Sequence, residues 1–252
     1  MSINPTERFS NRVENYVKYR PHYPEEIIEY LAEKNILKKD SDIADMGSGT
    51  GILTELFLKH GNRVYGIEPN KEMRQAGEEY LKDYTNFVSV DGSAEAAPLE
   101  KNSVDLIIAG QAFHWFDITK AKEEFQRILS PEGYVVLIWN KRKLTATPFL
   151  KAYEALLHKY GTDYAKVRHE NVDNEVLEKF YDNGCEAKTF YNEQVFDFDS
   201  LRGRLLSSSY SPTEDMEGFD PMIKKLKEIF DENNETGSVI FPYDTIVYSG
   251  KI

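Results

Sequence analysis

Cysteine is nearly absent from this chain of 252 residues, where Cys185 stands alone. No disulfide can form within the chain, and no Cys-rich zinc site exists. Histidine is scarce as well, at five residues. His22, His60, His158 and His169 fall at no metal-ligand spacing, so no metal is expected. Positive charge is the minority: 31 Lys and Arg against 43 Asp and Glu give a formal net charge of −12. A surface that acidic repels phosphate backbones and anionic lipids, which argues against nucleic acid and membrane as partners. Long hydrophobic runs are missing too. The longest, such as VVLIW at 135–139, are strand-sized and far below a membrane span. The opening MSINPTERFSNRV has no apolar core and does not read as a secretory signal. A cytoplasmic globular protein is the expectation these absences leave, long enough to bury one core, with or without a subdomain.

What is present is an alternation of two periodicities. Residues 25–37 (EEIIEYLAEKNIL) place Ile27, Ile28, Leu31 and Leu37 at helical spacing. A short strand over 42–46 runs into a glycine turn, then a helix over 51–61 that stops at Gly61. Strand 63–68, helix 71–82, strand 86–90, strand 103–110 and helix 121–129 follow. Pro131 and Gly133 mark a turn before a fifth strand over 134–140. Strand and helix alternating through short connections predict βαβ units, hence an α/β fold with a parallel sheet covered on both faces. The pattern changes after Asn140. Residues 144–180 lean helical and polar, 186–198 alternate like a strand, 200–210 and 222–232 read as helices, and 238–252 are β-rich. A helical insertion or lid within 144–235 is expected, with strands six and seven added antiparallel at the sheet edge.

The stretch ADMGSGTGIL, 44–53, carries three glycines at alternate positions where a strand becomes a helix. At the carboxyl edge of a parallel sheet, backbone N–H groups and a helix N-terminus receive a ligand, and glycines allow close approach. Glu68 ends the second strand about twenty residues beyond the turn, placed to accept both hydroxyls of a ribose. A ribose-bearing nucleotide is therefore implied. The dinucleotide fingerprint G-x-G-x-x-G does not match Gly47, Gly49 and Gly51. The Tyr-x-x-x-Lys pair of a short-chain reductase occurs only at Tyr30 and Lys34, ahead of the loop. The lysine of a P-loop is absent, since Ile52 and Leu53 follow the glycines. The turn suits neither NAD nor ATP.

Asp45-Met46-Gly47-Ser48-Gly49-Thr50-Gly51 resembles the D-x-G-x-G-x-G first motif of class I S-adenosylmethionine-dependent methyltransferases. GIEPNKEM, 66–73, is similar to their second motif. VDGSAEAAPLEKNSVDLIIAGQAFHWFD, 90–117, is similar to the adenine-side loop and fourth strand of their small-molecule branch, related to trans-aconitate and ubiquinone-biosynthesis methyltransferases. LSPEGYVVLIW, 129–139, resembles the turn into strand five, and RFSNRVENYVKYRPHYP, 8–24, the Tyr-containing segment that caps the cofactor. The five matches are in register over 8–139.

The resemblance implies one methyltransferase domain over 1–252, with a cofactor-capping segment at 1–24. It implies a Rossmann-like doubly wound sheet of seven strands, mostly parallel, with an antiparallel last strand. S-adenosylmethionine is the implied cofactor. Asp45 would orient the loop and the methionine end; Gly47, Ser48, Gly49 and Gly51 would line it; Glu68 would serve the ribose, Met73 would pack near the adenine, and Pro69 between them would also border the cofactor. The Gly-Asp-Ala-Glu of the broader family has Ser93 at its Asp position, so that contact passes to the Ser93 hydroxyl, a backbone group or water. Ala94 and Glu95 match. Gln111 would face the methionine end, and Tyr16, Tyr19 and Arg20 would fold over the cofactor, Arg20 pairing the methionine carboxylate.

The only histidine beside the expected reaction centre is His114, either a general base or a hydrogen-bonding wall residue. Phe113 and Trp115 suit apolar walls. Arg202 and Arg204, two apart on one helix, point to different faces, so either one of them meets an anionic acceptor or both are solvated. The SSSY run at 207–210 offers hydroxyls to a polar substrate or ends a helix. The expected partner is a small-molecule acceptor, and the expected assembly a monomer or homodimer. An NAD(P)-dependent oxidoreductase and a non-catalytic S-adenosylmethionine-binding module stay open as alternatives.

Overall fold

The computed structural model describes residues 18–164 and 174–252. Seven strands form one sheet: β1 (Asp42–Met46), β2 (Arg63–Ile67), β3 (Phe87–Val90), β4 (Val104–Gly110), β5 (Leu129–Arg142), β6 (Glu186–Phe196) and β7 (Val239–Gly250), in the order β3-β2-β1-β4-β5-β7-β6. The first five are parallel. Only β7 runs against them, wedged between β5 and β6 and antiparallel to both. Strands six and seven are added at the sheet edge through antiparallel pairing, as expected, with β6 outermost and pointing the same way as β5. The order reverses between β1 and β4, and a ligand crevice opens at such a switch point, outside the carboxyl ends of the strands.

The central strands are apolar on both faces because both are covered. Along β4, Ile107 and Ala109 join a core with Phe113, Phe125 and Phe180, while Leu106 and Ile108 join one with Ile27, Leu31 and Phe57. The period of two along a strand divides these residues between the faces. Helices α1 (Glu26–Glu33) and α2 (Ile52–His60) cover one face. Helices α4 (Ile118–Ile128) and α6 (Asn174–Phe180) cover the other, and α3 (Lys71–Tyr80) packs beside β3.

Two element boundaries differ from expectation for identifiable reasons. Helix α1 stops at Glu33 rather than at Leu37, because Asn35 is left-handed at φ 57° and the Ile36 and Leu37 N–H groups turn back to the Leu31 carbonyl. The turn expected at Pro131 and Gly133 is instead an irregularity within β5, where pairing jumps from Val104–Leu129 to Leu106–Tyr134.

The second half adds a third core. Helices α5 (Pro148–Tyr160), α7 (Phe198–Leu206) and α8 (Phe219–Asn233) bury Leu150, Tyr153, Leu201 and Leu226 against Phe241 and Tyr243 of β7. The region 144–235 is therefore mixed: α5, α7 and α8 form this layer, whereas α6 and β6 belong to the sheet framework. Thr147 caps α5 and Asp197 caps α7, each side chain accepting a backbone N–H one turn on.

Candidate active site

A cavity of about 560 Å³ opens at the carboxyl edge of β1, β2, β4 and β5. Its floor is the glycine turn. After β1 the Gly47 and Ser48 N–H groups both donate to the Ile67 carbonyl at 2.9 and 3.1 Å, which binds the turn to the end of β2. Gly47 and Gly49 are left-handed at φ 70° and 57°, and a Cβ on Gly47 would lie 2.7 Å from that of Ala112. Only glycine fits there without strain. Gly51 stands apart from the wall. It is left-handed at φ 85° at the head of α2 with Leu81 packed against it, so its part is to turn the chain.

Two buried carboxylates face this floor. Asp45 accepts from the Thr54 hydroxyl at 2.6 Å through Oδ2, while its Oδ1 is buried without a partner among the described residues. Burial pushes its carboxyl up to about 7, opposed by the Thr54 hydroxyl and aided by the nearby Glu68 charge. Glu68 accepts the Gly49 N–H at 2.9 Å on one oxygen and the Asn70 N–H at 2.8 Å on the other. Burial raises its pKa, while those N–H groups and Arg74 pull it back. Arg74 also donates to the Glu68 carbonyl at 2.7 Å, which fixes the strand end. Each carboxylate oxygen of Glu68 keeps a lone pair for a further donor.

Pro69 and Met73 continue the wall, with Asn70 capping α3 by accepting the Met73 N–H. Ser93, Ala94 and Glu95 form a tight turn closed by the Ser93 N–H to the Ala96 carbonyl and its reciprocal bond. Glu95 accepts the Asp117 N–H at 2.9 Å and so ties this turn to the segment that carries His114. Gln111 follows β4 in a left-handed conformation at φ 56°, uncommon for a residue with a Cβ, with its Oε1 buried and unpartnered among the described residues. His114 and Trp115 line the mouth on a short 3-10 turn, whereas Phe113 lies behind them in the aromatic core. Arg20 reaches the wall and donates to the Ser207 carbonyl at 3.0 Å. Tyr19 stays off the wall and packs on Gly203, where a Cβ would meet its ring at 2.1 Å. Tyr16 lies outside the described residues.

Sequence reasoning reached only part of the other end of the cavity, Arg204 and the run that holds Ser209 and Tyr210, and missed the rest. Trp139, Asn140, Lys141 and Arg142 enter from β5, Tyr164 from beyond α5, Ser209 and Tyr210 from beyond α7, and Tyr243 from β7. Arg142 donates to Glu154 at 2.7 Å and to the Tyr164 hydroxyl at 3.2 Å, and Tyr164 donates to Glu154. Of the two arginines on α7, Arg204 reaches the wall and Arg202 does not. A signal for Arg142 existed, since it ends β5 at the carboxyl edge, where open α/β sheets bind ligands. Tyr243 and Tyr164 carried none: only the tertiary fold brings them here.

The residues fit the cofactor implied by the glycine motif. The open Oδ1 of Asp45 suits an ammonium, Glu68 suits a pair of hydroxyls, and the buried Thr50 hydroxyl, also unpartnered among the described residues, offers one more polar contact. Among the described residues no group of three or more His, Cys, Asp or Glu could hold a metal ion, and no helix is long and apolar enough to cross a membrane.

Comparison with known proteins agrees with this geometry. A family model described as a methyltransferase domain matches residues 44–137, from the start of the glycine motif into β5. An uncharacterized methyltransferase of Schizosaccharomyces pombe is 28% identical over 251 residues, 96% of each chain. A methyltransferase-like protein of the same organism is 33% identical over 156 residues, 62% of this chain, and the match spans only 59% of that relative's length. A provisionally named type II methyltransferase from Anaeromyxobacter dehalogenans superposes with a TM-score of 0.68 over 92% of this chain and 98% of its own, at 18% identity, a likeness of fold alone.

Proposed function

We propose that this chain, which belongs to the class I S-adenosylmethionine-dependent methyltransferase family, moves a methyl group to a small-molecule acceptor by in-line displacement. The single observation that carries the reading is the pairing of an open, buried Asp45 oxygen with the Glu68 carboxylate across a glycine turn that admits no side chain. The cofactor supplies an electrophilic methyl on a sulfonium. The chain's residues do the rest by holding and drying. Asp45 takes the ammonium, Glu68 the ribose hydroxyls, and the turn at 93–96 flanks the adenine. Gln111 and Arg20 lie on the wall where the methionine end is expected.

A cavity of about 560 Å³ supports this reading, since it falls in the range that holds small ligands. Alignment and removal of water supply up to about 7–11 kcal/mol in favourable intramolecular models, so no covalent help from the protein is required. His114 at the mouth is placed to accept a proton from an acceptor that must lose one. Titration calorimetry with S-adenosylmethionine and S-adenosylhomocysteine tests the reading. Micromolar binding of both is expected, and absence of heat from folded protein overturns it. A nicotinamide cofactor is disfavoured by the glycine spacing, and NADH fluorescence should stay unchanged on titration.

A further inference from the structure

We propose that Arg204, assisted by Arg142 and the tyrosine hydroxyls around them, binds a carboxylate of the methyl acceptor, which makes the acceptor a small organic acid. The inference rests on the methyl-transfer reading for the ligand's being an acceptor, and on charge for its class.

Arg204 lines the cavity yet is only 7% exposed. Its Nη1 points at the Ser207 and Ser208 hydroxyls at 3.4 and 3.2 Å, the Tyr243 hydroxyl is a further partner, and its Nε has no acceptor among the described residues. Among the described residues no carboxylate lies within ion-pair distance of it. Arg142 differs: Glu154 sits 2.7 Å from its Nη2 and neutralises it, although its Nη1 is also buried without an acceptor among the described residues. One buried positive charge is therefore left over at this end of the cavity. A guanidinium cannot shed its proton, and a buried charge without a counter-charge is costly. The counter-charge belongs to whatever fills the cavity.

Several features favour a carboxylate over other occupants. A single surplus cation matches a monoanion, and the planar fork of Arg204 matches the two oxygens of a carboxylate. Tyr210 borders the same space and brings a hydroxyl, while the Tyr243 hydroxyl beside Arg204 is oriented by donating to Gln194 at 2.9 Å. A neutral acceptor would dry the cavity and leave the guanidinium unpaired. The placement is also deliberate in the fold: Arg20 grips the Ser207 carbonyl next to Arg204, and Tyr19 is seated on Gly203, so the segment ahead of α1 pins this end of α7.

The test uses the whole protein saturated with S-adenosylhomocysteine, and a panel of small aliphatic, aromatic and dicarboxylic acids, each with its primary amide, followed by thermal shift and calorimetry. At least one acid is expected to bind saturably, with its amide at least tenfold weaker. R204M should abolish that preference while S-adenosylhomocysteine affinity stays within twofold, and R204K should weaken the acid by a smaller factor. Without acid, R204M should melt at the same temperature as wild type or a few degrees higher, because it removes an uncompensated buried charge. An Arg204 with a purely structural role predicts a lower melting temperature instead. Preference for amides, equal preference in R204M, or no acid bound by protein that binds S-adenosylhomocysteine would overturn the inference and leave the methyl-transfer reading standing. Failure to bind S-adenosylhomocysteine would overturn that reading itself. If R204M does not fold, the acid-to-amide ratio in wild type and R204K decides.

Discussion

At one end of the cavity Asp45 and Glu68 offer two buried carboxylates, set by a turn and a strand end within 24 residues of one another; at the other, Arg142 and Arg204 offer two buried guanidiniums drawn from β5 and α7. The acidic end is matched to a ligand with a cationic and a hydroxyl-bearing part. The basic end is matched to an anion. The acidic end falls inside the stretch recognised as a methyltransferase domain, 44–137, and the basic end lies wholly outside it. The acidic end is encoded locally, and the basic end, proposed here to select the acceptor, is assembled from distant segments.

The contrast within the basic end gives the largest expected effect. R142M takes the guanidinium away from the buried Glu154, leaving it the Tyr164 hydroxyl and the His158 ring at 3.3 Å, and should cost about 3–5 kcal/mol of stability, read by urea unfolding. R204M should cost nothing, so equal losses in the two variants would break the distinction. At the acidic end, E68Q sets an amide N–H₂ against one of the backbone N–H groups of Gly49 or Asn70. It should weaken S-adenosylhomocysteine about 100-fold, on the order of the loss of charge-assisted hydrogen bonds; an affinity within threefold of wild type would contradict the role given to Glu68.

Asp45 supplies a pH test. Its folded pKa, about 7, lies above the ordinary value of 3.8. Its contribution to stability is therefore fully present below about pH 4 and lost as pH rises through 7. D45N stays neutral, so it should gain about 4 kcal/mol on wild type at pH 8 and little at pH 4. S-adenosylhomocysteine should bind wild type more tightly at pH 8 than at pH 6, as Asp45 ionises to meet the ammonium, and this slope should vanish in D45N. Gly47→Ala should cost about 1–3 kcal/mol, because its Cβ meets Ala112 and its φ is left-handed. The smallest effect is reserved for His114→Ala, two- to fivefold in turnover if the acceptor needs no base, as a carboxylate does not; a loss of about 100-fold would assign His114 a proton-transfer role.

Much of the fold was legible because the first five strands and their helices are written in short-range pattern. The glycine turn, Glu68 at a strand end, and the 93–95 turn are all local to one βα unit or its neighbour, and the structure gathers them around one cavity. What was illegible depended on packing. Asn35 shortens α1 through backbone geometry that apolar spacing does not record. Residues 144–180 looked polar, yet α5 buries Leu150 and Tyr153 under β7. That β7 inserts between β5 and β6 follows from pairing with β5 over more than a hundred residues, which no local signal carries. Arg204 was visible as one of two candidates; only the seating of α7 shows which of them turns inward.

The claim on which all of this depends is that the acidic end holds S-adenosylmethionine or its product. Titration of S-adenosylhomocysteine into wild-type protein and E68Q at pH 8, followed by calorimetry, tests it most directly. The account predicts a one-site isotherm with micromolar Kd for wild type and a loss of about 100-fold for E68Q. A flat titration of folded wild-type protein, or identical isotherms for the two, would contradict it.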